Sequence, residues 1–124
     1  MTRPERIGLL LVEDDVLVRM TVALMLEDDG FSVVEAASAA EAMRLMQDGL
    51  EAAVVVTDID LGAGPNGLEL ADQLHAMRPE AAVIFITGRT ASLEGRTLHH
   101  QEAVLPKPFE GWALSRLVRE MAPR

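Results

Sequence analysis

Five short strand-like runs, separated by stretches of helical period, constrain this chain more than any other feature. Ile7-Gly8-Leu9-Leu10-Leu11-Val12 is continuously apolar and stops at acids, as a strand buried on both faces does. Ala52-Ala53-Val54-Val55-Val56-Thr57 and Ala82-Val83-Ile84-Phe85-Ile86-Thr87 repeat the pattern, Phe31 to Ala36 is a short strand rich in β-branched residues, and Ala103-Val104-Leu105 supplies a fifth strand. Between them, Val16 to Glu27 sets Val16, Met20, Ala23 and Leu24 on one helical face and is stopped at Gly30. Ser38-Ala39-Ala40-Glu41 has capping-box spacing ahead of a second helix that ends near Gly49. Leu68 to Met77 is helical by period and ends at Arg78-Pro79, because a residue before proline resists the helical region. A short helix is expected within Ser92 to Gln101, and a last one from about Glu110 to Met121. Strict alternation predicts an α/β architecture: a doubly wound, five-stranded parallel sheet with five helices and right-handed crossovers. Ligands of such sheets bind outside the carboxyl ends of the strands, where strand order reverses.

The length, 124 residues, suits a single domain over residues 1–124. Aromatics make up only 3% against 49% hydrophobic residues, so the core has to be aliphatic. Eleven Lys and Arg against 20 Asp and Glu give a net charge of -9, the wrong sign for binding a phosphate backbone or an anionic membrane. The absence of cysteine excludes disulfides and thiolate metal sites. Neither a bilayer-length apolar run nor an export signal is present, and a cytoplasmic location is expected. Met1 to Arg6 and Pro123-Arg124 read as frayed ends.

Chemistry concentrates where the strands end. The first ends in Glu13-Asp14-Asp15, the third in Asp58 with Asp60 behind it, the fourth in Thr87, and the fifth runs into Lys107-Pro108. Carboxylates gathered at one edge repel one another unless a hard cation sits among them, and magnesium suits a few carboxylates with water and phosphate oxygens. A hydroxyl and an ammonium opposite that metal are what a tetrahedral phosphoryl group needs.

Leu11-Val12-Glu13-Asp14-Asp15, Val56-Thr57-Asp58-Ile59-Asp60-Leu61, Ile86-Thr87-Gly88 and Lys107-Pro108-Phe109 together resemble the receiver domain of two-component response regulators, over nearly the whole chain. The resemblance implies a flavodoxin-like fold in which Asp58 accepts a phosphoryl group from a histidine kinase or histidine phosphotransfer protein. It further implies that Glu13 and Asp14 match the acidic pair at the metal. Asp14, Asp58 and the backbone carbonyl of Asp60 would bind Mg2+, and Thr87 and Lys107 would hold the phosphoryl oxygens. The Lys107–Pro108 bond would be cis. On this reading the chain is a stand-alone receiver, a switch or phosphorelay intermediate. It is not a conventional enzyme but carries out self-catalysed phosphoryl transfer and autodephosphorylation, and signals to a downstream protein partner. Phosphoryl capture is expected to pull Thr87 inward and shift Gly88 to Gln101.

Two departures stand out. The loop Gly62-Ala63-Gly64-Pro65-Asn66-Gly67 is about one residue longer than the family pattern, and Val104 stands where an aromatic switch residue is usual. Phe85-Ile86-Thr87-Gly88-Arg89 partly resembles a motif of single-domain receivers.

Other residues read as structural: His75, His99 and His100 as surface residues, the seven methionines as core filling, Trp112 and Phe109 as packing for the last helix. The main rival is a Mg-dependent nucleic-acid enzyme of topoisomerase-primase type, which Glu13 and Asp58-Ile59-Asp60 fit crudely. It gives Lys107-Pro108-Phe109 no role, and the negative charge opposes it. A haloacid dehalogenase-like phosphatase would need a cap domain, and a flavodoxin would place flavin phosphate against acids. A receiver-like docking module that takes no phosphoryl group is the remaining alternative.

Overall fold

A computed structural model of the chain describes residues 6–89, 93 and 95–122. Five strands form one parallel sheet in the order β2-β1-β3-β4-β5: β1 Gly8–Val12, β2 Ser32–Ala36, β3 Val54–Asp58, β4 Ala82–Thr87 and β5 Glu102–Pro106. The helices are α1 Val16–Asp28, α2 Ala39–Gln47, α3 Gly67–Met77 and α4 Gly111–Met121.

Both faces of the sheet are covered. On one, Leu10, Val12, Val55, Val83 and Phe85 pack against Ala42 and Met46 of α2 and Leu70 and Leu74 of α3. On the other, Leu9, Leu11, Val56, Ile84 and Ile86 pack against Ala23 and Leu26 of α1 and Leu114 and Val118 of α4. Successive strand residues thus feed opposite cores, which is why β1, β3 and β4 read as unbroken apolar runs rather than alternating ones, while the edge strands β2 and β5 carry polar residues.

The helix count is corrected to four among the described residues. Residues 95–101 carry no helix: Gly95 takes φ +78°, outside the helical region, and the His99 amide donates to the Glu102 side chain instead of to a helical carbonyl. Of the rest of the stretch expected to be helical, Leu93 is a single residue of 3-10 geometry and residues 92 and 94 lie outside the described residues, as do residues 1–5 and 123–124 of the two expected frayed ends.

The expected face of α1 is corrected as well. Ala23 is buried, but its companions Val16, Met20 and Leu24 are at least half exposed, and Leu26 takes the inward place. The helix is apolar all round, so period alone could not choose a face, and packing on β1, β2 and α4 decided it. Trp112 likewise points outward, 67% exposed, while Phe109 packs on the α1–α4 side of the core.

Candidate functional site

The order of the strands builds the site. β1 and β3 are neighbours, and from them the chain winds outward in both directions, so the crevice of this sheet opens between their carboxyl ends. Val12 pairs with Thr57, which sets Glu13 level with Asp58 one residue on. Across the next pairings Asp58 lies opposite Ile86 and Thr87 opposite Pro106, so Lys107 follows just beyond the sheet. Four strand ends therefore deliver Glu13, Asp58, Thr87 and Lys107 to one edge.

Asp58 is the hub. Its Oδ2 accepts from Lys107 Nζ at 2.6 Å, and its Oδ1 accepts from the Asp60 backbone N–H at 3.0 Å. The peptide bond after Lys107 is cis, as the resemblance implied, and the Lys107 N–H donates to the carbonyl of Thr87 at 2.8 Å. Burial opposes the ammonium charge of Lys107, but the hydrogen bond to Asp58 and the charges of Asp58, Glu13 and Asp14 outweigh it and push its pKa up.

Glu13 is buried and lies within hydrogen-bond reach of Asp58. Burial, then that hydrogen bond and the Asp58 charge, push its pKa up to about 7, against the Asp15 backbone N–H and the charge of Lys107. Asp14 is exposed, and its carboxylate lies over the β3–α3 loop, where a Cβ on Gly62 would come within 3.1 Å of Oδ2. Gly62 also holds φ +72°, so the close approach and the turn both need glycine. Gly67 is tighter: a Cβ there would run into the Asp58 carbonyl oxygen.

Thr87 reaches the edge, but its hydroxyl is turned into its own strand end, donating to the Arg89 carbonyl at 3.0 Å and accepting the Arg89 N–H at 2.9 Å. The Asp60 side chain is exposed and stands 3.8 Å from Arg89 Nε at the mouth of the site. The third acid of the first loop, Asp15, serves α1 instead: it is the N-cap and accepts the Val18 N–H at 3.0 Å.

Arg19 was not among the residues expected from the sequence. One turn into α1, it donates from Nη1 to the Glu13 carbonyl at 2.9 Å and pairs with Glu35 at 3.2 Å, tying the acidic loop to α1 and β2. Its only sequence signal is a lone cation in an otherwise uncharged helix interior following an acidic loop.

Three carboxylates here share one ammonium, and the elevated pKa of Glu13 registers how poorly this pocket tolerates another negative charge. Among the described residues, no three His, Cys, Asp or Glu side chains come together as a metal-holding group. An oxygen donor set of one or two carboxylates with open space for water and a phosphoryl group suits magnesium better than calcium, which takes a fuller shell of protein oxygens.

Comparisons with known proteins give the family. The family model for the response regulator receiver domain matches residues 9–119. The chain is 36% identical over 115 residues to the sensor kinase CckA of Brucella abortus, covering 90% of this chain and 12% of the kinase. It is 33% identical over 119 residues to the transcriptional regulatory protein FixJ of Azorhizobium caulinodans, covering 94% of this chain and 55% of the regulator. The chain therefore spans little more than half of one relative and a small part of the other. Among solved structures, a response regulator receiver protein from Sinorhizobium medicae has a TM-score of 0.86 at 24% identity, covering 94% of each chain. The response regulator protein TrrA from Thermotoga maritima, solved in complex with Mg(2+)-BeF, has a TM-score of 0.81 at 22% identity, covering 92% of this chain and 97% of that one. None of these findings supports a nucleic-acid enzyme.

Proposed function

The chain belongs to the response regulator receiver family, and on that premise we propose that Asp58 accepts a phosphoryl group from a histidine kinase or histidine phosphotransfer protein and that the acyl phosphate switches the domain. The observation that carries this reading is the 2.6 Å contact between Lys107 Nζ and Asp58 Oδ2, a cation placed against the one buried aspartate at the switch point of the sheet.

The chain's own residues supply most of what the transfer needs. A carboxylate oxygen attacks phosphorus without a general base, forming its bond as the bond to the donor's leaving atom breaks through a loose transition state. Charge then spreads over the phosphoryl oxygens, and the Lys107 ammonium is already in position to meet it. The Asp60 N–H fixes the Asp58 carboxylate by holding Oδ1. Arg19 holds the acidic loop through the Glu13 carbonyl. Asp14, Asp58 and the Asp60 carbonyl are the groups that would hold Mg2+, with Glu13 adding negative charge beside them. When bound, the ion neutralises developing charge on the phosphoryl oxygens. For Thr87 to reach such an oxygen, its hydroxyl has to leave the Arg89 backbone, a rearrangement that would carry phosphorylation into the β4–β5 connection. The same site would also support hydrolysis of the acyl phosphate.

Titration with fluoroberyllate and magnesium, followed by 19F NMR, tests the acceptor. A bound signal that disappears in Asp58→Asn and on chelation is expected; a bound signal surviving in Asp58→Asn would overturn the assignment.

A further inference from the structure

The chain leaves Asp58 through a loop that is fixed at its base and open at its tip. The Ile59 N–H donates to the Ile86 carbonyl at 3.2 Å, the Gly67 N–H returns to the Ile59 carbonyl at 2.8 Å, and Leu61 is buried in the core shared with α2 and α3. Gly62 follows Leu61 directly, so its backbone cannot retreat without pulling a leucine out of a packed core. From there, residues 62–64 are exposed.

Asp14 meets this loop from the end of β1. Its backbone is held on both sides: the Glu13 N–H donates to the Ala36 carbonyl at 3.0 Å, the Glu13 carbonyl accepts Arg19 Nη1 at 2.9 Å, and Asp15 caps α1. The hydrogen bonds of the acidic loop go to Glu13 and Asp15, and the exposed Asp14 carboxylate has none among the described residues. Against burial, and after Asp58 and Glu13, the Asp14 charge adds to what pushes the Lys107 pKa up, so the carboxylate lies on the pocket side of the loop.

Gly62 leaves room for that carboxylate. A Cβ at this position would stand 3.1 Å from Oδ2 and 4.0 Å from Cγ, the first of them inside ordinary van der Waals contact. Gly64, two residues on, makes the comparison: it also holds a positive φ, +89° against +72° at Gly62, yet a Cβ there would meet nothing within 4 Å. The backbone calls for glycine at both positions, and only at Gly62 does a side chain also displace an acid. Because the loop base is fixed and the carboxylate is not, it is the carboxylate that moves. Magnesium demands near-ideal octahedral geometry, so a ligand pushed aside by a few tenths of an ångström is poorly matched to it.

We propose that Gly62 is a positioning residue for the cation: by carrying no side chain it lets the Asp14 carboxylate rest against the loop that carries the Asp60 carbonyl, and so sets magnesium affinity through Asp14. The inference rests on the assignment of Asp14, Asp58 and the Asp60 carbonyl to Mg2+ above.

The test is the magnesium Kd of the metal-free full chain, read from amide NMR shifts during titration. It is measured for the wild type, Gly62→Ala and Gly64→Ala, and for Asp14→Ala with and without Gly62→Ala. Kd is expected to rise about tenfold in Gly62→Ala, as when a group that orients a ligand is lost, and to stay within about twofold of wild type in Gly64→Ala. In the Asp14→Ala background Gly62→Ala is expected to add nothing, because the residue it acts through is gone. Urea unfolding without metal separates strain from positioning: both glycine variants place alanine at positive φ and should lose similar stability. An unchanged Kd in Gly62→Ala, an equal rise in Gly64→Ala, or a rise that persists in the Asp14→Ala background would each overturn the role of Gly62. A wild type that binds no magnesium would overturn the cation site itself, and the role of Gly62 with it. Should Gly62→Ala fail to fold, Gly62→Asn takes its place, since asparagine enters the left-handed region more readily than alanine and brings the same Cβ against Asp14.

Discussion

Lys107 and Glu13 act on Asp58 in opposite senses, and each can be tested alone. Lys107→Ala removes the one ammonium at the hub, so magnesium binding should be kept while the amide shifts of Thr87 to Arg89 on fluoroberyllate addition are largely lost. An undiminished NMR response would remove Lys107 from the mechanism. For Glu13 the sign runs from its pKa, raised from 4.5 to about 7. The folded protein keeps a proton there that the unfolded chain has released, so the contribution is full below about 4.5 and lost as pH rises through about 7. Without metal, wild-type stability in urea should therefore decline over that window relative to Glu13→Gln, and saturating magnesium should flatten the difference. Parallel profiles of the two proteins would contradict this. That Asp58, Glu13 and Lys107 share one edge was legible in the sequence because each stands at or just beyond the end of a strand run, and a parallel sheet aligns such positions. The turn of the Thr87 hydroxyl onto the Arg89 backbone and the capping duty of Asp15 were not, because short hydrogen bonds to neighbouring backbone decide them.

At the scale of elements, α3 and α1 show where patterning suffices and where it fails. Asn66 and Glu69 form a complete capping box: the Asn66 side chain accepts the Glu69 N–H at 2.9 Å, and the Glu69 side chain accepts the Asn66 N–H at 3.1 Å. At Ser38 only one half is made, with Ser38 Oγ accepting the Glu41 N–H, although that is where the sequence suggested the box. Asn66→Ala should cost about 1 kcal/mol in urea unfolding, and a cost near zero would show that the cap contributes nothing. In α1, a helix with apolar residues on every side carries no phase information, so the buried face had to be set by its neighbours. Leu26→Ala should cost about 2–5 kcal/mol, whereas Leu24→Ala on the outward face should cost under about 0.5 kcal/mol. Equal costs would mean that the inward and outward faces have been assigned wrongly.

Across the whole molecule, alternation of strands and helices was enough to anticipate a doubly wound sheet, and with it the edge at which to look for chemistry. Residues 95–101 escaped that reasoning because their shape depends on Gly95 and on side-chain bonds among Arg96, His99 and Glu102, which no periodicity encodes. At the far end of the β4–β5 connection Arg96 bonds to Asp72 of α3 and to Glu102 of β5. The net charge of -9 and the crowding of carboxylates at one edge imply that magnesium should raise the melting temperature, by an amount set by its concentration relative to Kd. A melting temperature indifferent to saturating magnesium would contradict the acidic pocket as its site. The central claim is that Asp58 alone accepts the phosphoryl group, and intact-mass spectrometry after incubation with acetyl phosphate and magnesium tests it most directly. One added phosphoryl group in the wild type, absent in Asp58→Asn and absent with a chelator, is the predicted result; labelling of Asp58→Asn to the wild-type extent would contradict it.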